Sequence, residues 1–420
     1  MASTTLVSQI TNLVVLLALL VTPMWAFAGM MDVPFHADES VYIYMARYFD
    51  LYFLKRDFSN PEWDAKVVWS VTQPPVSKYL IGLALFATGH DFSRLHHHWD
   101  WGLDEEANFE RGNVPSASAL LVSRALMTCL FTLSIVLCAA IAYRLSGFVS
   151  GFVAGPVMVV SGLALQYLRR ATADAPLVFF GLLAVISSMK LLYCLSTSKV
   201  TASRRTYAWA ALTGLWLALA GGSKPSGAAL IPMVFLAPVV TYFVGKAGGS
   251  DCLPGRRLLV LYAILLLVTM AAFVIPNPMV YKNPLEGTEA LIVHRQEAAG
   301  VQQQEAPEQA LTTVASRTMA MLDRVFHPVG LVVFLVGLGL LAWQELRNWT
   351  RGVVTVRTVV LLWVGGTLAF TALFTPMDWG RYFVLLVPCQ AVILGYLAAA
   401  VVGVMRQRLG GSPARAGDRT

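Results

Sequence analysis

Charged side chains are scarce in this 420-residue sequence, and their scarcity excludes an ordinary soluble domain. They make up 13% of the residues, whereas hydrophobic residues make up 57%, and the mean hydropathy is +0.63. A soluble domain carries about 25% charged residues. Most of the chain is therefore predicted to lie in a lipid bilayer.

Closely spaced cysteines are also absent. The 5 cysteines include no Cys-x-x-Cys pair, which excludes a zinc site built from cysteines and gives no sign of a disulfide framework. Cysteine otherwise behaves as a small apolar residue. That interpretation applies to Cys129, Cys138, Cys194, Cys252 and Cys389.

Apolar runs dominate what is present. Crossing a bilayer takes roughly 20 apolar residues, and about ten runs are candidates. They lie at 6–28, 117–142, 147–165, 174–195, 206–221, 226–245, 257–275, 328–345, 353–374 and 382–405. With both termini inside, lysine and arginine concentrate in the cytoplasmic loops, as the positive-inside rule requires. The net charge of +7 is thus assigned to topology and anionic membrane lipid, and no nucleic-acid partner is expected.

This topology predicts one membrane domain at 1–409 and a disordered cytoplasmic tail at 410–420. Residues 1–28 are expected to be a retained first span, because they lack the positive start of a signal peptide. Two large segments, about 29–116 and 276–327, are predicted to lie on the outer side.

The two outer segments are expected to be partly helical. Stretches 41–54 and 76–88 of the first are predicted to be helices that lie in the membrane interface. The second begins with prolines, is interpreted as a mobile lid, and is predicted to be helical at 311–326.

Two adjacent carboxylates, Asp38 and Glu39, stand between the first apolar run and an aromatic-rich stretch. One interpretation is helix capping, for which Asp is favoured. The other is catalysis, since a carboxylate at the bilayer edge can accept a proton from an acceptor hydroxyl or amine. Both can hold for neighbouring residues.

Cations recur in the turns assigned to the outer side, where few are expected. Snorkelling of lysine and capping of a helix by Asp174 are the structural interpretations. The functional interpretation is a set of cations that binds the phosphate of a lipid-linked donor. The cations concerned are Lys78, Arg169, Arg170, Lys224 and Arg381, with Arg124 at the start of the second run.

Three consecutive histidines, His96, His97 and His98, lie among acidic residues in the first outer segment. Such a group allows a metal site. Because loop spacing specifies no coordination geometry, a solvated loop is the favoured interpretation.

Several of these motifs together resemble the GT-C glycosyltransferases that use polyprenyl-phosphate sugars. The protein O-mannosyltransferases and the bacterial transferase that adds aminoarabinose to lipid A are the most similar in pattern. HADESVYIYMAR resembles their D-E-x-x-Y motif, and QPPVSKYLIG resembles an HPPLGK-type motif in which Gln73 replaces the usual histidine. LLVSRAL, ATADAPLVFF, GGSKPSGAALIP and RYFVLLVP resemble further motifs of that family.

The resemblance implies an all-α polytopic GT-C fold and roles for individual residues. Asp38 is the expected catalytic base, and Glu39 and Asp174 complete the expected catalytic group. The candidate substrate-binding residues are Tyr42, Lys78, Arg124, Arg169, Arg170, Lys224, Arg381 and Tyr382.

By the same resemblance we expect an inverting glycosyltransferase of the cell membrane. It would move a sugar from undecaprenyl or dolichyl phosphate to a protein, lipid or glycan acceptor on the extracytoplasmic side. Cations can neutralise a monophosphate leaving group, so no metal or other cofactor is expected. The alternative is a secondary transporter or flippase, a class that usually places its ionisable groups near mid-bilayer in two related halves.

Overall fold

The computed structural model describes residues 21–22, 24–67, 71, 73–197, 203–249 and 254–409. Within these ranges the protein is helical and contains no β-strand, apart from one isolated bridge between Ala310 and Met377. The predicted all-α architecture is confirmed. The predicted tail at 410–420 and most of the predicted span at 6–28 lie outside the described residues.

The first outer segment folds as short helices. The predicted interfacial helix at 41–54 is divided into α1, a helical turn Arg47–Phe49 and a π-helical turn Asp50–Leu54. The helix predicted at 76–88 is confirmed as α2. The labelled helices are α1 Ala37–Tyr44, α2 Val76–Ala87 and α3 Glu105–Glu110.

A helical bundle follows. Its first part comprises α4 Ala117–Ser146, α5 Phe148–Val160, α6 Gly162–Tyr167, α7 Asp174–Thr197, α8 Arg204–Ser223, α9 Ile231–Ala247 and α10 Gly255–Val274. The second outer segment contains α11 Pro278–Lys282, α12 Pro284–Glu305 and α13 Val314–Val325. The last helices of the described part are α14 Pro328–Trp349, α15 Val356–Phe374 and α16 Leu386–Leu409.

Seven helices in the described part of the chain are long and apolar enough to cross a membrane. They are Ala117–Ser146, Asp174–Ser196, Pro225–Ala247, Gly255–Val274, Pro328–Trp349, Val356–Phe374 and Leu386–Arg408. These seven match seven of the predicted spans, and the total of about ten is not confirmed. Ser161 explains one difference: its hydroxyl caps α6 and divides the predicted span 147–165 into α5 and α6. The predicted span at 206–221 is α8, which is not among the seven.

α7 lies at the centre of the bundle and packs against α4, α8, α9 and α15. Of its apolar window 72% is buried, compared with 11% for α10, so α10 lies at the periphery. α10 approaches α8 closely because a glycine stands at the contact: a Cβ on Gly214 would lie 2.6 Å from the carbonyl oxygen of Leu265.

The two segments predicted to be outer contact each other. Tyr79 of α2 donates its hydroxyl hydrogen to the carbonyl of Pro276 at 2.7 Å, and Tyr52 donates to that of Ile275 at 2.9 Å. The helix predicted at 311–326 is confirmed as α13, whereas α12 was not predicted. The two tyrosine bonds connect the first segment to the start of the second.

Candidate active site

The site begins at the N-terminus of α1, where the sequence FHADES forms a capping box. Nδ1 of His36 accepts the backbone N–H of Asp38 at 3.1 Å. The backbone N–H of His36 donates to Oε2 of Glu39 at 3.2 Å. These bonds satisfy donors and fix the first turn of the helix. The side chains of Asp38 and Glu39 point away from this turn and pair with different residues.

Glu39 is fully buried and pairs with Arg124 of α4. Nε and Nη2 of Arg124 donate to the two carboxylate oxygens at 2.8 and 2.7 Å, and the N–H of Ala171 donates to Oε1 at 2.9 Å. Nη1 of Arg124 donates to the carbonyls of Met30 and Val33 at 3.2 and 2.9 Å. Every guanidinium nitrogen is engaged with protein atoms, so Arg124 holds the site together and has no nitrogen open to a substrate.

Arg169 and Arg170, in the turn before α7, are also buried and bind backbone carbonyls that precede α1. Nη2 of Arg169 donates to the carbonyl of Trp25 at 2.7 Å, and Nη2 of Arg170 donates to that of Pro34 at 3.3 Å. Burial lowers the pKa of Arg170, and the neighbouring carboxylate of Glu39 opposes that shift. Arg170 therefore lies beside the capping box, and the described hydrogen bonds of both arginines go to the backbone.

Asp174, the first residue of α7, pairs with Lys224, which follows the last residue of α8. The ammonium donates to Oδ1 of Asp174 at 2.7 Å, and the hydroxyl of Thr172 donates to Oδ2 at 3.1 Å. Only 9% of the lysine side chain and 4% of the carboxylate side chain are exposed. Each partner offsets the cost of burying the other.

Asp38 pairs with Arg381 instead, across almost the whole length of the chain. Nη1 of Arg381 donates to Oδ2 of Asp38. This pair keeps access to solvent, with 21% of the Asp38 side chain and 17% of the Arg381 side chain exposed. Of the predicted catalytic carboxylates, Asp38 is thus the most accessible.

Tyr382 joins the two pairs. The guanidinium carbon of Arg381 lies 5.5 Å from the centre of the Tyr382 ring, and Nζ of Lys224 lies 5.6 Å from it. Both distances are in the range of cation–π attraction. Tyr42 belongs to the same cluster: burial raises the pKa of its phenol, and the charge of Asp174 raises it further.

A cavity of about 700 Å³ opens beside this cluster. Its wall is mostly apolar and includes Leu217, Phe235 and Phe273, while Lys224 and Tyr382 stand in the same wall. The cavity can therefore accept an apolar chain whose charged end meets the lysine.

Arg295 of α12 also lines this cavity, and sequence reasoning missed it. Its charge acts on the phenol of Tyr42, which places it near the charged cluster. α12 was not predicted because its stretch QEAAGVQQQE is too polar to stand out as a buried helix. The high helix propensity of its alanine, glutamine and glutamate residues is the signal that could have indicated it.

The second outer segment holds the loop that carries Arg381. Gln303 of α12 donates to the carbonyl of Pro376 at 3.1 Å, and Arg324 of α13 donates to both carboxylate oxygens of Asp378 at 2.9 and 3.1 Å. The hydroxyl of Tyr382 donates to Gln302 at 3.3 Å. The cavity wall and the Arg381 loop are therefore one connected unit.

Lys78 is buried on α2, with Nζ 5.0 Å from the centre of the Tyr48 ring. Burial lowers the pKa of Lys78 to about 7. α2 packs against both α1 and α8, and Pro74, just before α2, lines the cavity. Lys78 is therefore on a helix that begins two residues after the cavity wall, whereas Lys224 and Arg381 lie against the ring of Tyr382.

The histidine run packs as part of the first outer segment. Nε2 of His96 lies 3.0 Å from both the hydroxyl and the carbonyl oxygen of Ser40, and the ring of His98 packs edge-on against that of Tyr44. Among the described residues, no group of three or more histidine, cysteine or acidic side chains is arranged to hold a metal ion.

A comparison with protein-family models assigns the chain to a family. Residues 63–277 match the family model described as dolichyl-phosphate-mannose-protein mannosyltransferase. A comparison with curated proteins gives no match.

Solved structures share the fold. ArnT from Cupriavidus metallidurans bound to undecaprenyl phosphate superposes with a TM-score of 0.56 at 14% identity, over 96% of this chain and 66% of that one. The oligosaccharyltransferase AglB from Archaeoglobus fulgidus, in complex with an inhibitory peptide and a dolichol-phosphate, superposes with a TM-score of 0.50 at 13% identity. The chain spans 52% of the length of AglB and 62% of that of apo ArnT. The predicted GT-C fold of a multi-pass membrane protein is confirmed.

Proposed function

The chain belongs to the dolichyl-phosphate-mannose-protein mannosyltransferase family, and from this membership we propose that it transfers a sugar from a polyprenyl-phosphate carrier to an acceptor. The acceptor meets the site on the extracytoplasmic face of the cell membrane, and the transfer inverts the anomeric carbon. A hexose or a pentose can serve as the sugar, and a protein, lipid or glycan as the acceptor.

The observation that carries this proposal is the cavity beside Tyr382. Its largely apolar wall suits the isoprenoid chain of the carrier, and Lys224 and Arg295 supply two positive charges in that wall. A phosphate at the end of an apolar chain matches both features. Cationic groups that bind the phosphate stabilise the charge that develops when the bond to the sugar breaks.

We assign the general base to Asp38. An acceptor hydroxyl must come within hydrogen-bond reach of the base, and Asp38 is the predicted catalytic carboxylate with the most solvent access. In the structure its charge is engaged by Arg381. A bound donor phosphate offers Arg381 a second anionic partner, so part of its attraction moves from Asp38 to the phosphate and leaves the carboxylate free to accept a proton.

The reaction then needs one displacement. The acceptor oxygen loses its proton to Asp38 and forms a bond to the anomeric carbon, while the bond from that carbon to the phosphate oxygen breaks. The polyprenyl phosphate leaves with the electron pair of the broken bond. Attack from the side opposite the phosphate inverts the configuration.

The other charged residues support these steps. Asp174 orients Lys224 by the 2.7 Å bond between them, and Glu39 fixes the turn that presents Asp38. Lys78 is proposed as a further donor contact, since Pro74, just before α2, lines the cavity. We expect transfer without a divalent metal, because the cations of the site can neutralise a monophosphate.

Purified full-length protein in lipid nanodiscs tests the proposal with radiolabelled polyprenyl-phosphate-mannose and total membrane extract as the acceptor source. We expect release of polyprenyl phosphate and label in the acceptor fraction, both unaffected by EDTA. Lys224→Met should weaken donor binding and reduce both signals, whereas Lys246→Met, in the last turn of α9, should leave them unchanged. Carrier movement across the bilayer of proteoliposomes without release of phosphate would contradict the proposal and favour a flippase.

A further inference from the structure

His36 lies within the charged cluster, and neither the base nor the phosphate contacts proposed above make use of it. It stands two residues before Asp38, and 37% of its side chain is exposed. The charged groups that act on it come from several parts of the chain and are Arg381, Arg170, Glu39 and Asp174. Its ring is also close to the Asp38 carboxylate, with Nδ1 3.7 Å from Oδ2.

The hydrogen bond at Nδ1 defines the state of the ring. Nδ1 accepts the backbone N–H of Asp38, so it carries no proton, and the neutral ring carries its proton on Nε2. Burial, followed by the charges of Arg381 and Arg170, lowers the pKa of His36 to about 4. The ring is therefore neutral at any pH near 7.

A charged ring would give a different local structure. With a proton on Nδ1, the imidazolium could not accept from the Asp38 N–H, so the cap would be lost. The same proton would face Oδ2 of Asp38 at 3.7 Å and compete with Arg381 for that carboxylate. A neutral His36 therefore preserves both the N-cap hydrogen bond and the pairing of Asp38 with Arg381.

We propose that His36 is a positioning residue of the transfer reaction, whose Nδ1 holds the backbone of Asp38 and so sets the direction in which the catalytic carboxylate leaves α1. This inference rests on the proposed function for its catalytic meaning. A displacement of about 1 Å in a catalytic group can cost roughly 100-fold in rate. Loss of the cap is thus expected to lower kcat and to leave donor KM unchanged, because neither His36 nor Asp38 lines the cavity proposed for the carrier.

Two substitutions separate the two nitrogens of the ring. His36→Asn places an amide oxygen near the position of Nδ1, and asparagine is among the best N-cap residues. His36→Gln places its amide near the position of Nε2, and glutamine is not a favoured cap. His36→Ala removes both ring nitrogens.

The experiment measures transfer from polyprenyl-phosphate-mannose together with backbone hydrogen exchange across α1, in full-length protein. We expect His36→Ala and His36→Gln to lower kcat by about 100-fold and to speed exchange at residues 37–44. His36→Asn should recover most of the rate and the protection. Ser203→Ala serves as a control, because it removes another N-cap, that of α8, at the end of the helix away from Lys224.

The outcomes are distinct. Full activity and protection in His36→Ala would overturn the inference, and so would rescue by glutamine but not by asparagine, since Nε2 would then be the working atom. If the wild-type protein transfers no sugar, the proposed function fails, and the exchange pattern across α1 still supports or overturns the cap. Wild-type transfer with unchanged exchange in His36→Ala and His36→Gln would overturn this inference alone.

Discussion

Asp38 and Glu39 are neighbours in the sequence, yet their environments differ sharply. Glu39 and Arg124 are almost completely buried, with 0% and 1% of their side chains exposed, whereas Asp38 and Arg381 keep 21% and 17%. The buried pair has a full set of partners from three parts of the chain. The accessible pair is joined by the bond from Arg381 to Asp38, and Tyr382, the residue after Arg381, lines the cavity.

This difference shows how one acidic dipeptide can serve two purposes. A buried ion pair resists separation, because each charge left alone would remain desolvated. An accessible pair can exchange a partner for a ligand, because water and the ligand compensate the loss. We therefore assign the fixing of the site to Glu39 and Arg124, and the chemistry to Asp38 and Arg381.

Removing the buried carboxylate should have the largest effect. Glu39→Ala leaves the Arg124 guanidinium buried without its carboxylate, which is expected to lower the free energy of unfolding by about 3–5 kcal/mol. Thermal unfolding in detergent measures the loss. Arg94→Ala, which breaks a surface pair that is 86% exposed on the arginine side, should change stability by less than about 1 kcal/mol. Equal losses in the two variants would remove the distinction between the pairs.

Removing the accessible cation should affect the reaction and spare the fold. Arg381→Gln is expected to lower kcat by about 100-fold, the usual cost of losing one group that stabilises charge in a transition state. The unfolding temperature should stay close to that of the wild type. A rate close to wild type would contradict the role given to Arg381. A large loss of stability would show that the Asp38–Arg381 pair stabilises the fold, as the Glu39–Arg124 pair does.

Arg295 tests the link between the cavity and the phosphate. Losing one charged hydrogen bond to the donor corresponds to about tenfold weaker binding, so Arg295→Gln should raise donor KM by that factor with little change in kcat. Glu297→Gln on the same helix is the control, since Glu297 is exposed and does not line the cavity. Identical KM values for the two variants would exclude Arg295 from the donor site.

The smallest expected effect is a change with pH at Lys78. Burial lowers the pKa of Lys78 to about 7, so the side chain is charged below that pH and neutral above it. If it contacts the donor phosphate, donor binding should tighten by several-fold, and at most about tenfold, as the pH falls from 8 to 6. The change should vanish in Lys78→Arg, because arginine stays charged throughout. A wild-type pH profile in that variant would place the titrating group elsewhere.

The sequence predicts the long helices well because burial in lipid requires long apolar runs. Seven predicted spans coincide with helices, and α2 and α13 also follow the prediction. The structure differs from the predicted span 147–165, because a polar side chain begins a new helix within it. Ser161 accepts a hydrogen bond from the backbone of Ala164 and begins α6, which no count of apolar residues reveals.

The pairing within the site could not be predicted. Apolar runs and turn motifs placed Asp38, Asp174, Lys224 and Arg381 at helix ends, but they carry no information about which charges meet. Contacts such as Asp38 with Arg381 span 343 positions and depend on the packing of the whole bundle. The same packing buries Arg124. The sequence alone therefore does not tell which cations are accessible to a ligand and which are buried.

The most direct test of the account is the turnover of Asp38→Asn with polyprenyl-phosphate-mannose, measured beside its affinity for undecaprenyl phosphate. Asparagine keeps the shape of the side chain but cannot accept a proton at neutral pH. We predict that kcat falls by about 10²–10⁴, while carrier binding and the unfolding temperature stay near the wild-type values. Turnover at the wild-type rate would contradict the assignment of Asp38 as the base, and with it the division of labour between the two carboxylates.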